Sequence, residues 1–65
     1  MNTYTIAFDD TGAIREFLQE PRPGLPDGGV AYDHLRCMWY VKVSASTPGV
    51  AREKARRILR TTQEG

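Results

Sequence analysis

The clearest alternation of apolar and polar residues lies in residues 36–45 and predicts a β-strand. One side of this strand would be apolar throughout: Cys37, Trp39, Val41, Val43 and Ala45. The other side begins with Met38 and Tyr40 and becomes polar toward its end. We expect the first side to be buried beneath a helix, where the thiol of Cys37 would be inert. The second side would be partly covered, by a loop or by another molecule.

A helix is predicted immediately afterwards, over residues 48–61. Thr47 offers a capping hydroxyl, and Pro48 occupies the first helical position, where no backbone N–H is needed. Apolar residues then recur at helical spacing on one face: Ala51, Ala55, Ile58 and Leu59. We expect this face to pack on the sheet and the helix to fray from Thr61 onward.

Two more strands are predicted nearer the N-terminus. Residues 3–9 alternate in the manner of a half-buried strand, and residues 9–12, DDTG, have the composition of a tight turn. Residues 13–19 fit either a short helix or a strand, because their apolar residues satisfy both spacings. We favour the strand, since the preceding turn would make it the hairpin partner of the first strand.

Residues 21–29 form a Pro/Gly-rich loop, because three prolines and three glycines in nine residues exclude both regular elements. Residues 30–36 would add a stub of strand or one helical turn. The whole chain, residues 1–65, is then a single small α+β domain. Its predicted architecture is a three-stranded, mostly antiparallel sheet with one C-terminal amphipathic helix packed on one face, in the order β-β-β-α.

The residue types that carry chemistry are sparse. With one cysteine and one histidine, the chain forms no internal disulfide and supplies too few ligands for a structural zinc site. Asp33, His34 and Cys37 come nearest to a catalytic cluster, but a buried thiol would not act as a nucleophile. The scattered carboxylates offer no acid–base pair. We therefore predict a protein that is not an enzyme, with no catalytic, cofactor-binding or metal-binding residues.

The sequence also bears on location. No run approaches the roughly 20 apolar residues that a membrane-spanning helix requires. Acidic residues, Asp9 and Asp10, stand where a signal peptide would be apolar. We expect a soluble cytoplasmic protein without a membrane partner, in a compartment that keeps a single thiol reduced.

Charge separates the two halves of the chain, although the net charge is only +1. Residues 1–35 contain two basic and six acidic residues, a net −4, whereas residues 36–65 contain seven basic and two acidic residues, a net +5. Four arginines fall on the predicted outer face of the helix: Arg52, Arg56, Arg57 and Arg60. Glu53 is placed to pair with Arg57.

This basic face has three interpretations. It would bind an acidic surface of a protein partner, bind nucleic acid through phosphate contacts, or remain solvated without a function. A sequence pI near 7.9 is low for a dedicated nucleic-acid-binding domain, so a protein partner is the leading interpretation.

The sheet face away from the helix is a second candidate surface. Met38 and Tyr40 would lie there, and Tyr4 and Tyr32 would complete an exposed aromatic patch. One helix covers only one face of a sheet, so this patch would mark an interface, either with a partner or within a homodimer.

The segment YVKVSASTPGVAREKARRIL combines an alternating strand, a Ser/Thr-Pro cap and an A-x-x-x-A helix. It resembles the strand–helix unit of small accessory proteins of phages and other mobile elements, some of which inhibit host machinery, including anti-CRISPR proteins. It also resembles the last strand and helix of double-stranded-RNA-binding domains, but the N-terminal helix and the Lys-rich cap of that family are missing. The first resemblance covers about one third of the chain, transfers no functional residue and implies a compact interaction protein.

Overall fold

The computed structural model describes residues 1–20 and 22–64, so Pro21, the first residue of the predicted loop, lies outside the described residues, as does Gly65. The described chain contains these elements: β1 (Asn2–Phe8), β2 (Ile14–Leu18), β3 (Val30–Asp33), β4 (Met38–Ala45) and α1 (Pro48–Glu64). The strands form one antiparallel sheet in the order β2-β1-β4-β3. The predicted α+β class with a C-terminal helix is confirmed.

The predicted number of strands is wrong, because the sheet has four strands rather than three. The additional strand, β3, pairs with β4 from Val30 opposite Val41 to Asp33 opposite Met38. The stub-of-strand alternative for residues 30–36 is thus confirmed over Val30–Asp33. With only four residues it shows too little alternation to decide between strand and helical turn alone, and the longer β4 supplies its hydrogen-bonding partners. The strand alternative for residues 13–19 is confirmed, because β2 pairs with β1.

The larger core lies between the sheet and α1. In the two central strands, Ile6 faces Val41 and Tyr4 faces Val43, and all four side chains are buried. The helix adds buried residues at the predicted positions, and Ile58 packs half-buried beside them. The buried helix residues are Ala51, Ala55 and Leu59. Because alanine has a small side chain, α1 approaches β4 closely, and Leu59 closes one end of the core.

The helix begins as predicted and ends later than predicted. The hydroxyl of Thr47 accepts a hydrogen bond from the Val50 N–H at 3.2 Å, which caps the first turn. The predicted fraying from Thr61 is wrong, since the Thr61 and Thr62 hydroxyls donate to carbonyls one turn earlier, each at 3.0 Å, and α1 continues to Glu64. Within the described residues, no helix is both long enough and apolar enough to cross a membrane.

The opposite sheet face is covered by the Pro/Gly-rich loop. Leu25 is 8% exposed and packs with Ala7 and Tyr40 in a second, smaller core. The guanidinium carbon of Arg22 lies 4.0 Å from the centre of the Tyr40 ring. The expectation that a loop partly covers this side is therefore confirmed.

Backbone hydrogen bonds fasten the end of this loop to β4. The N–H of Gly28 donates to the Lys42 carbonyl at 2.7 Å, and the N–H of Lys42 donates to the Gly29 carbonyl at 3.2 Å. Gly28 adopts a φ of 79°, which glycine accepts at no steric cost. The loop is thus joined to the sheet at the point where β3 begins.

Candidate functional site

The four predicted arginines of α1 form one exposed surface, here called the basic helix surface: Arg52, Arg56, Arg57 and Arg60. The prediction that they lie opposite the sheet is corrected in part. Arg52, Arg56 and Arg60 each follow directly after a buried residue, and one residue step rotates a helix by about 100°. They therefore line the flank of α1 that borders β1 and β2, and the guanidinium carbon of Arg52 lies 5.7 Å from the Phe17 ring centre.

The remaining arginines of the chain all have intramolecular partners, as Arg52 does. The nearest atoms of Arg15 and Asp9 are 3.8 Å apart, and those of Arg36 and Glu16 are 3.7 Å apart. Arg22 lies over the Tyr40 ring. These contacts hold the three arginine side chains outside α1 against the surface of the protein.

Three guanidinium groups of the basic helix surface differ from all the others. Those of Arg56, Arg57 and Arg60 make no hydrogen bond, ion pair or aromatic-ring contact with the side chains that the structure describes, those of residues 1–20 and 22–63. The predicted pairing of Glu53 with Arg57 is not formed in that part of the chain. We call Arg56, Arg57 and Arg60 the unpaired arginines.

Arg56 and Arg60 border two shallow depressions, one on each side. The outer depression, of about 230 Å³, also includes Glu53 and Arg57. The other, of about 270 Å³, lies between α1 and the turn that joins β1 to β2, and we call it the turn-side depression. Its lining consists of Phe8, Gly12, Arg56, Leu59, Arg60 and Gln63. Arg56 and Arg60 thus line both depressions and separate one from the other.

The helix dipole does not account for these arginines. Cations are stabilised by the dipole only near the last turn of a helix, where carbonyl groups lack partners. The last turn of α1 contains no basic residue, because the helix continues beyond Arg60 to Glu64. A role in stabilising the end of the helix is therefore a weak explanation for the unpaired arginines.

The second predicted surface, Met38 and Tyr40, is mostly interior. Tyr40 is only 3% exposed, beneath the Arg22 side chain, and Met38 is half-buried beside it. The Arg36 Nη1 donates to the Tyr40 hydroxyl at 3.3 Å. This hydrogen bond is the main cause that raises the pKa of Arg36, with the charge of Glu16 as a lesser one. The prediction that Tyr40 is an exposed interface residue is corrected, because the loop already covers its ring.

The predicted aromatic patch is also wrong, because two of its members lie on the helix side of the sheet. Tyr4 stands opposite Val43 and is 2% exposed, and Tyr32 stands opposite Trp39 with 4.7 Å between the ring centres. Directly opposed residues of antiparallel strands point to the same face of the sheet. The register therefore places Tyr4 and Tyr32 on the same face as Val43 and Trp39. A homodimer stays a prediction, now without this patch as its basis.

Cys37 is exposed, which corrects the prediction that it belongs to the buried face of the strand. It has a φ of 55° and ends the turn between β3 and β4, one residue before the strand begins. Its thiol donates to the His34 carbonyl at 3.7 Å, whereas the His34 ring packs edge-on against Tyr32. Asp33 accepts the Leu35 N–H at 2.9 Å. The thiol, the imidazole and the carboxylate thus each make a different contact, and none of these contacts joins two of the three groups.

The turn between β1 and β2 has its own carboxylate network. Asp9 Oδ1 accepts the Thr11 hydroxyl at 2.6 Å and the N–H groups of Thr11 and Ala13 at 2.9 and 3.0 Å. The Thr11 hydroxyl is the largest cause that lowers the pKa of Asp9, and the backbone donors and the Arg15 charge act in the same direction. This network holds the turn, including Gly12, beside α1.

Sequence reasoning found the arginines of this site but missed the residues that frame it. Gly12 and Phe8 come from the opposite end of the chain, and Gln63 lies beyond the predicted end of the helix. Only the pairing of β1 with β4 brings the β1–β2 turn next to α1. No local sequence pattern predicts that these residues lie close together.

Comparison with known proteins finds no matching family model, no matching curated protein and no matching solved structure.

Proposed function

We propose that this chain is a small non-enzymatic interaction protein whose basic helix surface docks on an acidic surface of a protein partner. The observation that carries the proposal is the unpaired state of Arg56, Arg57 and Arg60 on an ordered helix. Unpaired guanidinium groups on a helix suit charge-complementary recognition, because arginine binds carboxylates with two parallel hydrogen bonds.

A protein partner is favoured over nucleic acid by the acidic groups next to the basic helix surface. Glu53 lines the outer depression together with the unpaired arginines. On the other side, Asp9 and Asp10 belong to the turn that ends at Gly12. A nucleic acid strand carries a charge about every 3.4 Å and would meet these carboxylates, whereas a protein surface can place its acids selectively.

The resemblance to accessory proteins of phages and mobile elements supports a more specific form of the proposal. In that form, the partner belongs to host machinery that the chain inhibits or regulates, as anti-CRISPR proteins do. The proposal also assigns the protein to the cytoplasm, since a single exposed thiol suits a reducing compartment.

The test is capture of partners from a native lysate by the tagged protein, with and without nuclease. The informative variant is Arg56→Glu combined with Arg60→Glu. A matched control, Lys42→Glu combined with Lys54→Glu, changes the net charge equally at two other places, on β4 and on the other flank of α1. We expect the arginine variant to lose the captured protein and the lysine variant to retain it, with both circular dichroism spectra unchanged.

Two results would contradict the proposal. Equal capture by both variants would show that the basic helix surface is not the contact. Capture that disappears after nuclease treatment, together with an affinity for DNA or RNA that falls steeply with salt, would assign the surface to nucleic acid instead.

A further inference from the structure

The turn-side depression differs from the rest of the basic helix surface in being bordered by a second element, the turn between β1 and β2. Arg56 and Arg60 stand along one side, and the Gln63 side chain adds an amide that can donate a hydrogen bond. Phe8 and Leu59, which are 0% and 4% exposed, belong to the main core and close the bottom of the depression. Its accessible donors can therefore surround one anion.

The opposite wall of the depression is held in place by its own hydrogen bonds. Gly12 donates its N–H to the Asp9 carbonyl at 3.0 Å, and the side chain of Asp9 accepts three further hydrogen bonds within the turn. Across the depression, α1 is fixed by the burial of Leu59. The gap between turn and helix is thus set by two ordered elements, which lowers the entropic cost of binding.

We infer that the turn-side depression is the anchoring site of the partner and that it binds one side-chain carboxylate from an acidic segment. This inference rests on the proposed function and specifies the partner's chemistry. Arg56 and Arg60 hold the carboxylate, and Gln63 donates to it.

The charges around the depression favour an isolated carboxylate over a chain of phosphates. Glu53 lines the outer depression together with Arg56 and Arg60, whereas Asp9 and Asp10 line a separate depression. A polyphosphate chain extending from the turn-side depression across Arg56 and Arg60 would approach Glu53. An isolated carboxylate ends within the reach of the two arginines and avoids Glu53.

The test uses NMR of the intact, isotope-labelled protein, observing the Nε–Hε signals of the arginines and the amides of Gly12 and Gln63. The probe is a capped pentapeptide with one glutamate among uncharged polar residues, and its control has glutamine in place of glutamate. We expect the glutamate peptide to shift the signals of Arg56, Arg60, Gly12 and Gln63 saturably. Replacing both arginines, Arg56→Gln with Arg60→Gln, should weaken this binding by about tenfold or more, because two charge-assisted hydrogen-bonding groups are lost.

Matched controls keep the result specific. The variant Lys42→Gln with Lys54→Gln loses the same charge elsewhere and should bind the glutamate peptide as the unmodified protein does. Arg52, which contacts Phe17, should show little change in its side-chain signal. Circular dichroism of both variants verifies that they are folded.

Three outcomes would overturn the inference. Equal shifts by the glutamate and glutamine peptides would exclude carboxylate recognition. Shifts confined to Arg52 and Arg57, without Gly12 or Gln63, would leave the basic helix surface as a docking surface but remove the depression as its anchor. Tighter binding of a short poly-dT oligonucleotide at the same salt concentration, with shifts of Arg56 and Arg60, would assign the depression to phosphate. The capture experiment tests the proposed function separately, so the two failures can be distinguished.

Discussion

The two faces of the sheet are both covered, but by different means. On the helix face, α1 places residues at regular intervals against β1 and β4, and the contacts are almost entirely apolar. On the loop face, an irregular segment covers the sheet with a few separate contacts: Leu25 in the small core, Arg22 on Tyr40, and the Gly28–Lys42 hydrogen bond. A domain this small can therefore bury a second face of its sheet without a second helix.

The two coverings should also differ in stability. A helix that loses one contact keeps its own hydrogen bonds and its other buried residues, whereas a loop has few contacts with which to compensate. We expect the helix face to determine global unfolding and the loop face to open locally.

Leu59→Ala should cause the largest loss, about 2–5 kcal/mol of unfolding free energy, because it leaves a cavity where α1 closes the main core. Urea denaturation followed by circular dichroism measures this loss. Val50→Ala, at a helix position that is 37% exposed, is the matched control and should change stability little. Equal losses in the two variants would show that α1 is not held by its apolar face.

Leu25→Ala should cost less, about 2 kcal/mol, because the loop can partly collapse into the vacated space. Hydrogen exchange should accelerate at the N–H groups of Gly28 and Lys42 while α1 remains protected. Leu35→Ala is the control, since Leu35 is 98% exposed in the turn between β3 and β4. Faster exchange throughout α1 would instead show that the two faces unfold as one unit.

Thr5→Val should cost about 1 kcal/mol, the usual net contribution of one hydrogen bond. Thr5 is 2% exposed, and its hydroxyl donates to the Glu20 carbonyl at 2.8 Å, which ties the chain after β2 to β1. Thr3→Val, in the same strand, is the control. Equal stability of the two variants in thermal unfolding would mean that this hydrogen bond has no net effect.

Acidification should produce the smallest effect, through the Asp9 network in the turn. The pKa of Asp9 is lowered chiefly by the Thr11 hydroxyl, so the folded state favours the carboxylate. Its stabilising contribution is therefore complete above the ordinary aspartate pKa of about 4 and is lost as the pH falls through the lower folded value. Denaturation curves across this acid range should be less pH-dependent in Thr11→Val than in the unmodified protein, and identical pH dependence would contradict this assignment.

The long elements could be predicted from the sequence because they repeat their own pattern. β4 alternates over eight residues, and α1 carries both a cap and an apolar stripe. β3 has only four residues, and its pairing with β4 depends on a partner that local reasoning cannot supply. The prediction that Cys37 belongs to the strand was wrong for a related reason. The alternation of β4 extends back to Cys37 in the sequence, although Cys37 lies in the turn before the strand begins.

The candidate site was predictable in its charges and not in its surroundings. Helical spacing identified the arginines of α1, but whether each one has a partner depends on residues from other elements. Arg52 reaches Phe17 across the flank of the helix, whereas Arg56 and Arg60 border a space framed by Gly12. The prediction of an exposed aromatic patch was wrong because the strand register places Tyr4 opposite Val43, on the helix side of the sheet.

The strand order β2-β1-β4-β3 also has a consequence for how the chain is assembled. β1–β2 and β3–β4 are each hairpins of neighbouring residues, whereas the central seam between β1 and β4 joins distant parts of the chain. Because closing a long loop costs more entropy than closing a hairpin, we expect the hairpins to form first and the seam to be the slow step. During synthesis, the edge of β1 that pairs with β4 would then lack its hydrogen-bonding partner until β4 has left the ribosome.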